Sequence, residues 1–351
     1  MRVLVTGHDG YIGSVMVEVL RAAGHSIVGL DTYFFADCGN STGANCETPA
    51  ISKDVRDLTA ADLGGVEVVV HLAALCNDPL GDLNPHWTLD INHHASRRLA
   101  ALAKEAGVTR FLYASSCSMY GHAGEETVDE NAPLHPLTPY AISKVRAEEE
   151  ISKLADRDFS PVFMRNATAY GVSSRLRADV VLNNLVCWAH TTGKIRVMSD
   201  GTPWRPIVHI RDIARAFATA LAAPRDVIHN EAFNVGTNEE NYQVRELAQI
   251  VRETVSGCVV EYAAGGGPDP RSYRVSFDKF QGAFPDFKPE WNARRGAREV
   301  YDAIREANLT LEDFQGRRYI RLNQLKHLLD SDLLDDTLRW RNSPQQISIN
   351  A

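Results

Sequence analysis

The run Thr6-Gly7-His8-Asp9-Gly10-Tyr11-Ile12-Gly13 joins a short apolar stretch at residues 3–5 to a helical pattern at residues 12–23. Glycines in the spacing G-x-x-G-x-x-G permit a tight turn and let a pyrophosphate approach the backbone closely. A helix that begins there also presents unpaired N–H groups to the anion. The triplet lies between a strand and an amphipathic helix, which makes it a much stronger signal than the glycine pattern alone. We therefore predict a dinucleotide site whose contacts include Gly7, Gly10, Tyr11, Ile12 and Gly13.

Short β-rich runs alternate with longer helical patterns through the first half of the chain. The strand candidates are continuous apolar runs, as expected when both faces of a sheet are buried. Predicted strands lie at residues 3–5, 26–30, 66–72, 110–115 and 161–164, and predicted helices at residues 12–23, 93–106 and 139–156. This alternation predicts an α/β fold, a Rossmann-type doubly wound parallel sheet covered by helices.

The regular alternation loosens after about residue 165, where turn-rich stretches occur at residues 201–206, 263–270 and 284–289. A helix at residues 211–222 and a strand at residues 232–235 still fit the first sheet. We predict a dinucleotide-binding domain at residues 1–165 plus about 209–236, a smaller discontinuous substrate-binding lobe at residues 166–208 and 237–310, and a helical C-terminal extension at residues 311–351. Within the extension, residues 311–341 form a charged amphipathic segment, which we interpret as a packing or dimer-contact appendage.

Composition narrows the class of protein. The 351 residues include 37 basic and 45 acidic side chains, a formal charge of −8, which argues against nucleic-acid binding. No apolar run is long enough for a membrane helix, and the start of the sequence lacks a signal-peptide pattern. The six cysteines are scattered, so we expect a reduced, cytoplasmic chain with no membrane partner. The adjacent His93-His94 has no matching ligand cluster nearby, and we predict no metal site.

The second predicted strand ends in Gly29-Leu30-Asp31. An acidic side chain at this position accepts hydrogen bonds from ribose hydroxyls and repels a 2′-phosphate, so Asp31 favours NAD over NADP. A solvated aspartate at a strand end is the alternative reading. Asp54 and Val55, after the next expected strand position, are assigned to the adenine edge.

A tyrosine and a lysine lie four residues apart in Tyr140-Ala141-Ile142-Ser143-Lys144, on one face of a helix that Thr138-Pro139 begins. The pKa of a free tyrosine phenol is about 10. An adjacent ammonium, joined by the positive nicotinamide, favours the tyrosinate. Ser116 follows a predicted strand at the end where open α/β sheets bind ligands. We predict that Ser116, Tyr140 and Lys144 are catalytic; a surface helix is the alternative for the last two.

Taken together, these motifs resemble the extended short-chain dehydrogenases/reductases, specifically the NAD-dependent nucleotide-sugar epimerase/dehydratase family. The resemblance covers roughly residues 1–300, with the motifs in family order. It is carried by Gly7, Gly10, Gly13, Asp31, Asp54, His71-Leu72-Ala73-Ala74, Asn92, Ser115-Ser116, Tyr140, Lys144 and residues 165–171.

The resemblance implies an NAD cofactor, a nucleotide diphosphate sugar as substrate, and specific roles for individual residues. Tyr140 is then the acid/base, Lys144 holds the nicotinamide ribose, and Ser116 hydrogen-bonds the sugar C4 oxygen. The remaining cofactor contacts are Leu72, Ala73 and Ala74, with Asn92 supporting the lysine. The substrate contacts are Ser116, Cys117, Ser118, Thr168, Arg205 and Arg271.

Guanidinium groups suit a diphosphate because their planar fork donates paired hydrogen bonds. This favours Arg205 and Arg271 as diphosphate clamps, with exposed arginines near prolines as the alternative reading. We interpret Arg175 and Arg177 as loop charges, with a smaller chance of reaching the substrate. Family relatives pair through helices flanking the sheet, including the helix that bears Tyr140, so the resemblance predicts a homodimer.

The reaction is narrowed by the residues that follow Ser116. Family dehydratases carry Thr-Asp-Glu where this chain has Ser116-Cys117-Ser118, and a family decarboxylase has a glutamate at the Ser118 position. We therefore expect a 4-epimerase that oxidises C4 transiently and returns hydride to the opposite face of the 4-keto intermediate. A 4-dehydrogenase or 4-ketoreductase stays open, because it uses the same residues. A 4,6-dehydratase ranks lower, and a non-catalytic dinucleotide-binding regulator is disfavoured by the intact Ser116, Tyr140 and Lys144.

Overall fold

A computed structural model of the chain describes residues 1–39, 48–263 and 271–342. The strands are β1 Arg2–Thr6, β2 Ser26–Asp31, β3 Ala50–Ser52, β4 Val68–His71, β5 Arg110–Ser116, β6 His122–Val128, β7 Ser160–Asn166, β8 Thr168–Tyr170, β9 Lys194–Val197, β10 Trp204–His209, β11 Glu231–Val235, β12 Asn241–Gln243, β13 Val259–Tyr262 and β14 Ser272–Val275. The α-helices are α1 Tyr11–Ala22, α2 Asp78–Leu83, α3 Pro85–Leu89, α4 Ala95–Glu105, α5 Pro139–Ser152, α6 Val181–Thr192, α7 Ile210–Ala222, α8 Arg225–Ile228, α9 Val244–Thr254, α10 Asp278–Ala283, α11 Ala293–Glu306, α12 Leu311–Gln315 and α13 Arg321–Asp330.

Seven strands form one sheet in the order β3-β2-β1-β4-β5-β7-β11. Every neighbouring pair in it is parallel. The order runs outward in both directions from the contact between β1 and β4, which is the switch point where open α/β sheets bind ligands. The predicted Rossmann-type α/β fold is confirmed.

Successive residues of a strand pack into two different hydrophobic cores, because side chains alternate between the two faces of a sheet. Val3 and Val5 of β1 belong to the core under α1 and α7, whereas Leu4 belongs to the core under α4 and α5. All three are fully buried. The continuous apolar runs therefore have the cause that the sequence suggested, namely burial on both faces.

The smaller sheets come mostly from the chain after residue 166; the exception is β6 at His122–Val128. One has the order β12-β10-β8, and two strand pairs are β13-β9 and β14-β6. Because β8 begins at Thr168, two residues beyond the end of β7 at Asn166, this part of the molecule continues directly from the carboxyl edge of the large sheet. The proposed division into domains remains a prediction.

Most predicted elements are present with slightly different ends. The main difference is the tail: its helices are short, Leu311–Gln315 and Arg321–Asp330, and an isolated antiparallel bridge joins Leu334 to Trp340. Residues 264–270 of the predicted turn, residues 343–351 of the predicted extension, and Cys46 lie outside the described residues. Within the described part of the chain, no helix combines the length and apolarity that crossing a membrane requires.

Candidate active site

The glycine-rich loop forms one wall of a large cavity at the carboxyl edge of the sheet. Gly7 has a φ of 71°, in the left-handed region that glycine adopts without strain. A Cβ added to Gly13 would lie 1.9 Å from the Gly7 carbonyl oxygen. Helix α1 follows with Gly10 as its N-cap and no side-chain cap, so its first N–H groups face a site suited to phosphate. The loop thus fits a dinucleotide.

Asp31, at the end of β2, lines the part of the cavity that we predict to hold adenosine, called the adenosine end below. Its carboxylate accepts hydrogen bonds from the backbone N–H of Asp9 at 3.1 Å and of Tyr33 at 2.9 Å, and burial raises its pKa. Asp54 and Val55 also line the cavity. The Asp54 carboxylate pairs with Arg56 at 2.7 Å, so it is held in place before any ligand arrives.

The reactive end is built where β5 ends and α5 begins. Thr138 caps α5 by accepting a hydrogen bond from the Ala141 N–H at 3.2 Å, as the sequence predicted. Ser116, the last residue of β5, hydrogen-bonds the Tyr140 side chain. Lys144 is buried; its Nζ donates to the Ala114 carbonyl at 2.7 Å and lies 5.8 Å from the centroid of the Tyr140 ring. The three predicted catalytic side chains therefore meet in one place.

Burial acts on the acid–base groups in opposite senses. It raises the pKa of Tyr140 above its usual value, and the hydrogen bond from Ser116 only partly offsets the effect. Burial lowers the pKa of Lys144 to about 8. Desolvation disfavours the charged form of each group, which explains both directions. The protein part of the site thus holds Tyr140 as a neutral phenol, so the sequence-based expectation of a tyrosinate depends on the positive nicotinamide.

A buried ion pair fixes α5 against the sheet. Arg165 on β7 contacts Glu148 on α5 at 2.8 Å, with both side chains at least nine-tenths buried. The same guanidinium donates to the Tyr120 hydroxyl at 3.2 Å, which in turn donates to Asn234 at 2.8 Å. Because breaking a buried pair leaves an uncompensated charge, the network sets the position of the helix that carries Tyr140.

The two predicted diphosphate clamps, Arg205 and Arg271, also line the cavity. Arg205 on β10 donates to the Arg271 carbonyl oxygen, and Arg271 pairs with Asp78. Asp78 also accepts a hydrogen bond from the Thr138 hydroxyl at 2.6 Å. Thr168 lines the same cavity. The structure therefore brings Arg205 and Arg271 together on one wall.

The cavity has a volume of about 880 Å³, near the upper end of the range for ligand sites. Buried polar atoms along it, namely Ser115 Oγ, Ser118 Oγ and Asn166 Oδ1, find no hydrogen-bond partner among the described residues. The predicted site residues on its walls are Gly7, Gly10, Tyr11, Ile12, Gly13, Asp31, Asp54, Val55, Leu72, Ala73, Ala74, Ser116, Ser118, Tyr140, Lys144, Thr168, Arg205 and Arg271.

Cys117 corrects one prediction, because it is not among the residues that line the cavity. The 3₁₀ turn Cys117–Tyr120 directs its side chain into the core, where Sγ contacts the Arg165 carbonyl at 3.1 Å. Burial raises the pKa of this thiol well above its ordinary value. A neutral thiol facing the core cannot bind a substrate in the cavity.

Asn92 corrects a second prediction, that it contacts the cofactor. It is fully buried and is not among the residues that line the cavity. Its amide clamps the backbone of Leu75, accepting from N–H at 2.8 Å and donating to C=O at 3.0 Å. It also donates to the Ser143 hydroxyl at 3.2 Å. Asn92 therefore contacts α5 through Ser143, the residue before Lys144. It does not bond Lys144 itself, whose Nζ donates to the Ala114 carbonyl.

Arg175 and Arg177 are not exposed loop charges. Arg175 is buried against Asp9 at 2.6 Å. Arg177 is buried, lines the cavity, pairs with Asp179 at 2.7 Å and donates to Cys76 Sγ at 2.8 Å. Cys76 lies two positions after His71-Leu72-Ala73-Ala74, and this closeness to the motif was the available sequence signal that Cys76 lies at the cavity. No local motif marks Arg177 or Asp179: they pair with each other two positions apart, but their contacts with Cys76 and Asn77 span 101 and 102 positions.

These features define a dinucleotide-dependent α/β enzyme with a Ser–Tyr–Lys site, and comparison with known proteins agrees. The model of the NAD dependent epimerase/dehydratase family matches residues 3–236. A UDP-glucose 4-epimerase of Mycolicibacterium smegmatis is 32% identical over 270 residues, 73% of this chain and 83% of its own. A human dTDP-D-glucose 4,6-dehydratase is 26% identical over 326 residues, 87% of this chain and 90% of its own.

Among solved structures, MoeE5 in complex with UDP-glucuronic acid and NAD is similar with a TM-score of 0.75 and 28% identity. The match covers 88% of this chain and all of that one. The chain therefore belongs to the NAD dependent epimerase/dehydratase family. It is an enzyme of that family, and its cofactor is NAD.

Proposed function

We propose that the chain is a nucleotide-sugar 4-epimerase, with UDP-sugars as the first substrates to test. The observation that carries this is the meeting of Ser116, Tyr140 and Lys144 in one cavity, combined with the lack of a carboxylate at positions 117 and 118. Named relatives support the substrate class: the Mycolicibacterium smegmatis protein is a UDP-glucose 4-epimerase, and MoeE5 binds UDP-glucuronic acid.

Proton transfer at the sugar is assigned to Tyr140. When bound, NAD supplies the hydride acceptor and donor at C4. The Tyr140 phenolate takes the proton of the C4 hydroxyl as the C4 hydride leaves, which produces a 4-keto sugar. Ser116 donates a hydrogen bond to the C4 oxygen, and Lys144 stabilises the phenolate by its charge. The 4-keto sugar then rotates in the site so that its opposite face receives the hydride. Tyr140 returns the proton to the C4 oxygen as the hydride arrives.

The residues around Tyr140 disfavour dehydration. A 4,6-dehydratase needs a further acid and base near C5 and C6, but the Cys117 thiol faces the core and Ser118 is a hydroxyl. Asp78 is the cavity carboxylate whose charge acts on Tyr140, and it is engaged by Thr138 and Arg271. Epimerisation requires no group beyond Ser116, Tyr140 and Lys144.

At the far wall, we propose that Arg205 and Arg271 bind the substrate diphosphate. The Arg205 side chain contacts the backbone of Arg271, both residues line the cavity, and a guanidinium pairs well with a diphosphate. Ionic contact between Arg271 and Asp78 holds the second clamp ready. The homodimer and the cytoplasmic location also remain predictions, and light scattering of the purified chain tests the first.

The experiment is a product analysis in D₂O. The purified chain is incubated with UDP-, GDP-, CDP- and dTDP-sugars, beginning with UDP-glucose and UDP-glucuronic acid, and products are followed by NMR. The expected result is a C4 epimer that carries no solvent deuterium and forms without net change in nicotinamide redox state. A 4-keto-6-deoxy product would show a dehydratase, and stoichiometric nicotinamide turnover would show a dehydrogenase or ketoreductase; either result overturns the proposal.

A further inference from the structure

Arg321, the first residue of α13 in the C-terminal tail, lies on the wall of the cofactor cavity. Only 2% of it is exposed. Its Nη2 donates to the Arg175 carbonyl at 2.7 Å, and its guanidinium lies 5.2 Å from the centroid of the Phe35 ring. Its Nη1 is buried and has no hydrogen-bond partner among the described residues. Leaving a charged donor unpaired in the interior is costly, so the geometry indicates a ligand.

The contacts of Arg321 place it along the middle of the cavity. Arg175, whose carbonyl it contacts, pairs in turn with Asp9 of the glycine-rich loop. Phe35, under its guanidinium, follows the adenosine end marked by Asp31. Arg321 therefore lies between the adenosine end and the Tyr140 end, near the glycine loop, where the diphosphate of a dinucleotide would run.

The local charges are unbalanced in favour of an anion. Arg175 pairs with Asp9 and Arg177 with Asp179, while the Arg321 side chain has no salt-bridge partner among the described residues. Desolvation lowers the pKa of Arg321 and the neighbouring Arg177 lowers it further, while Cys38 and the Asp179 carboxylate offset part of this decrease. A diphosphate would supply the missing negative charge and accept the free N–H of Nη1.

Hydrogen bonds hold residues 321–340 of the C-terminal tail against the adenosine end of the cavity. Trp340 Nε1 donates to the Thr32 carbonyl at 2.6 Å, and Gln324 donates to the Phe34 carbonyl at 3.1 Å. Arg56, the partner of Asp54, donates to the Leu338 carbonyl at 2.8 Å. These bonds hold α13, and with it Arg321, in a fixed position relative to β2.

We propose that Arg321 is a cofactor-binding residue that donates to the diphosphate of NAD, so that the tail completes the cofactor site. The matched family model ends at residue 236, so this contact comes from a part of the chain outside that model. The shared chemistry, a diphosphate, also occurs in a nucleotide-sugar substrate. The test separates these two sources.

The test compares ligand binding to nucleotide-free full-length chain and two variants. Arg321→Met keeps an apolar stem and removes the donors, and Lys326→Met is the control because Lys326 is exposed on the same helix. Binding of ADP-ribose, adenosine and UDP is measured by calorimetry or NMR competition, together with the NAD content of the chain as purified. We expect Arg321→Met to lose about 10- to 100-fold in affinity for ADP-ribose, the size of a charge-assisted hydrogen bond, with adenosine and UDP unchanged.

The pattern of losses decides the outcome. An unchanged affinity for ADP-ribose overturns the proposal, as does an equal loss for adenosine, which would show a purely structural role for Arg321. A loss confined to UDP would assign the residue to the substrate diphosphate instead, and would also overturn it. If Arg321→Met does not fold, Arg321→Lys keeps the charge but not the planar fork, and the same comparison of ADP-ribose with adenosine applies. None of these readouts depends on the reaction that the enzyme catalyses.

Discussion

The two ends of the cavity are built by different means. The end that we assign to the cofactor is made mostly of backbone and small residues, such as Gly10 and Gly13, which allow a ligand to approach the main chain. The end that we assign to the substrate depends on side-chain contacts between residues far apart in sequence: Arg177 donates to Cys76 across 101 positions, and Arg271 pairs with Asp78 across 193. A site built from a local turn is recognisable in the sequence, whereas the pairing of distant residues, such as Arg271 with Asp78, becomes visible only in the fold.

The largest expected effect is at Tyr140, where the two ends meet. We predict that Tyr140→Phe lowers kcat by about 100- to 10,000-fold, the range for loss of a general acid–base, while NAD content is retained. Steady-state kinetics and nicotinamide absorbance of the purified variant measure both. Tyr113→Phe is the matched control, because it removes a buried hydroxyl outside the cavity and keeps the ring under Lys144. Equal losses in the two variants would contradict the assignment.

The next effect tests the backbone-built end. In Gly13→Ala the new Cβ would lie 1.9 Å from the Gly7 carbonyl oxygen, so the loop must shift. We predict a loss in NAD affinity of about 10- to 100-fold, in line with about 1–3 kcal/mol for overpacking. Calorimetric titration with NAD measures it. Gly282→Ala is the control, because nothing lies within 4 Å of its added Cβ; similar NAD affinities in both variants would show that close approach at Gly13 is unimportant.

The contrast explains which parts of the site the sequence predicted. The glycine loop, Asp31 and the Tyr140–Lys144 pair each depend on spacing within one turn or helix, and the structure places all of them on the cavity. Cys117 was misplaced because the 3₁₀ turn after β5 rotates its side chain toward Arg165, a residue on another strand. Arg321 carries no local motif, since its position depends on contacts between the tail and β2.

A smaller effect tests the charge-built end. Arg205→Met should raise the KM for a nucleotide sugar about 10-fold, the effect of losing one charge-assisted hydrogen bond, with kcat little changed because the contact is remote from C4. Initial-rate kinetics on the substrate identified by NMR measure this. Arg245→Met, an exposed change in the same part of the molecule, should leave KM unchanged. A fall in kcat at constant KM would instead place Arg205 in the chemical step.

The smallest effect concerns Lys144 and the pH dependence of stability. Burial lowers its pKa in the folded chain to about 8, whereas the unfolded value is about 10.4. Between these values the unfolded chain binds more protons than the folded one, so the free energy of unfolding contributed by Lys144 rises with pH. The expected rise is about 1 kcal/mol from about pH 8 to pH 9.

Denaturant titrations of nucleotide-free protein measure this pH dependence. The difference in the free energy of unfolding by which Lys144→Met exceeds the wild type should shrink across this interval. The control Lys326→Met, which changes an exposed lysine, should follow the wild-type profile. Parallel profiles for the wild type and Lys144→Met would mean that the ammonium beside Tyr140 is not desolvated, and that the phenol has a stronger cationic neighbour than the buried geometry indicates.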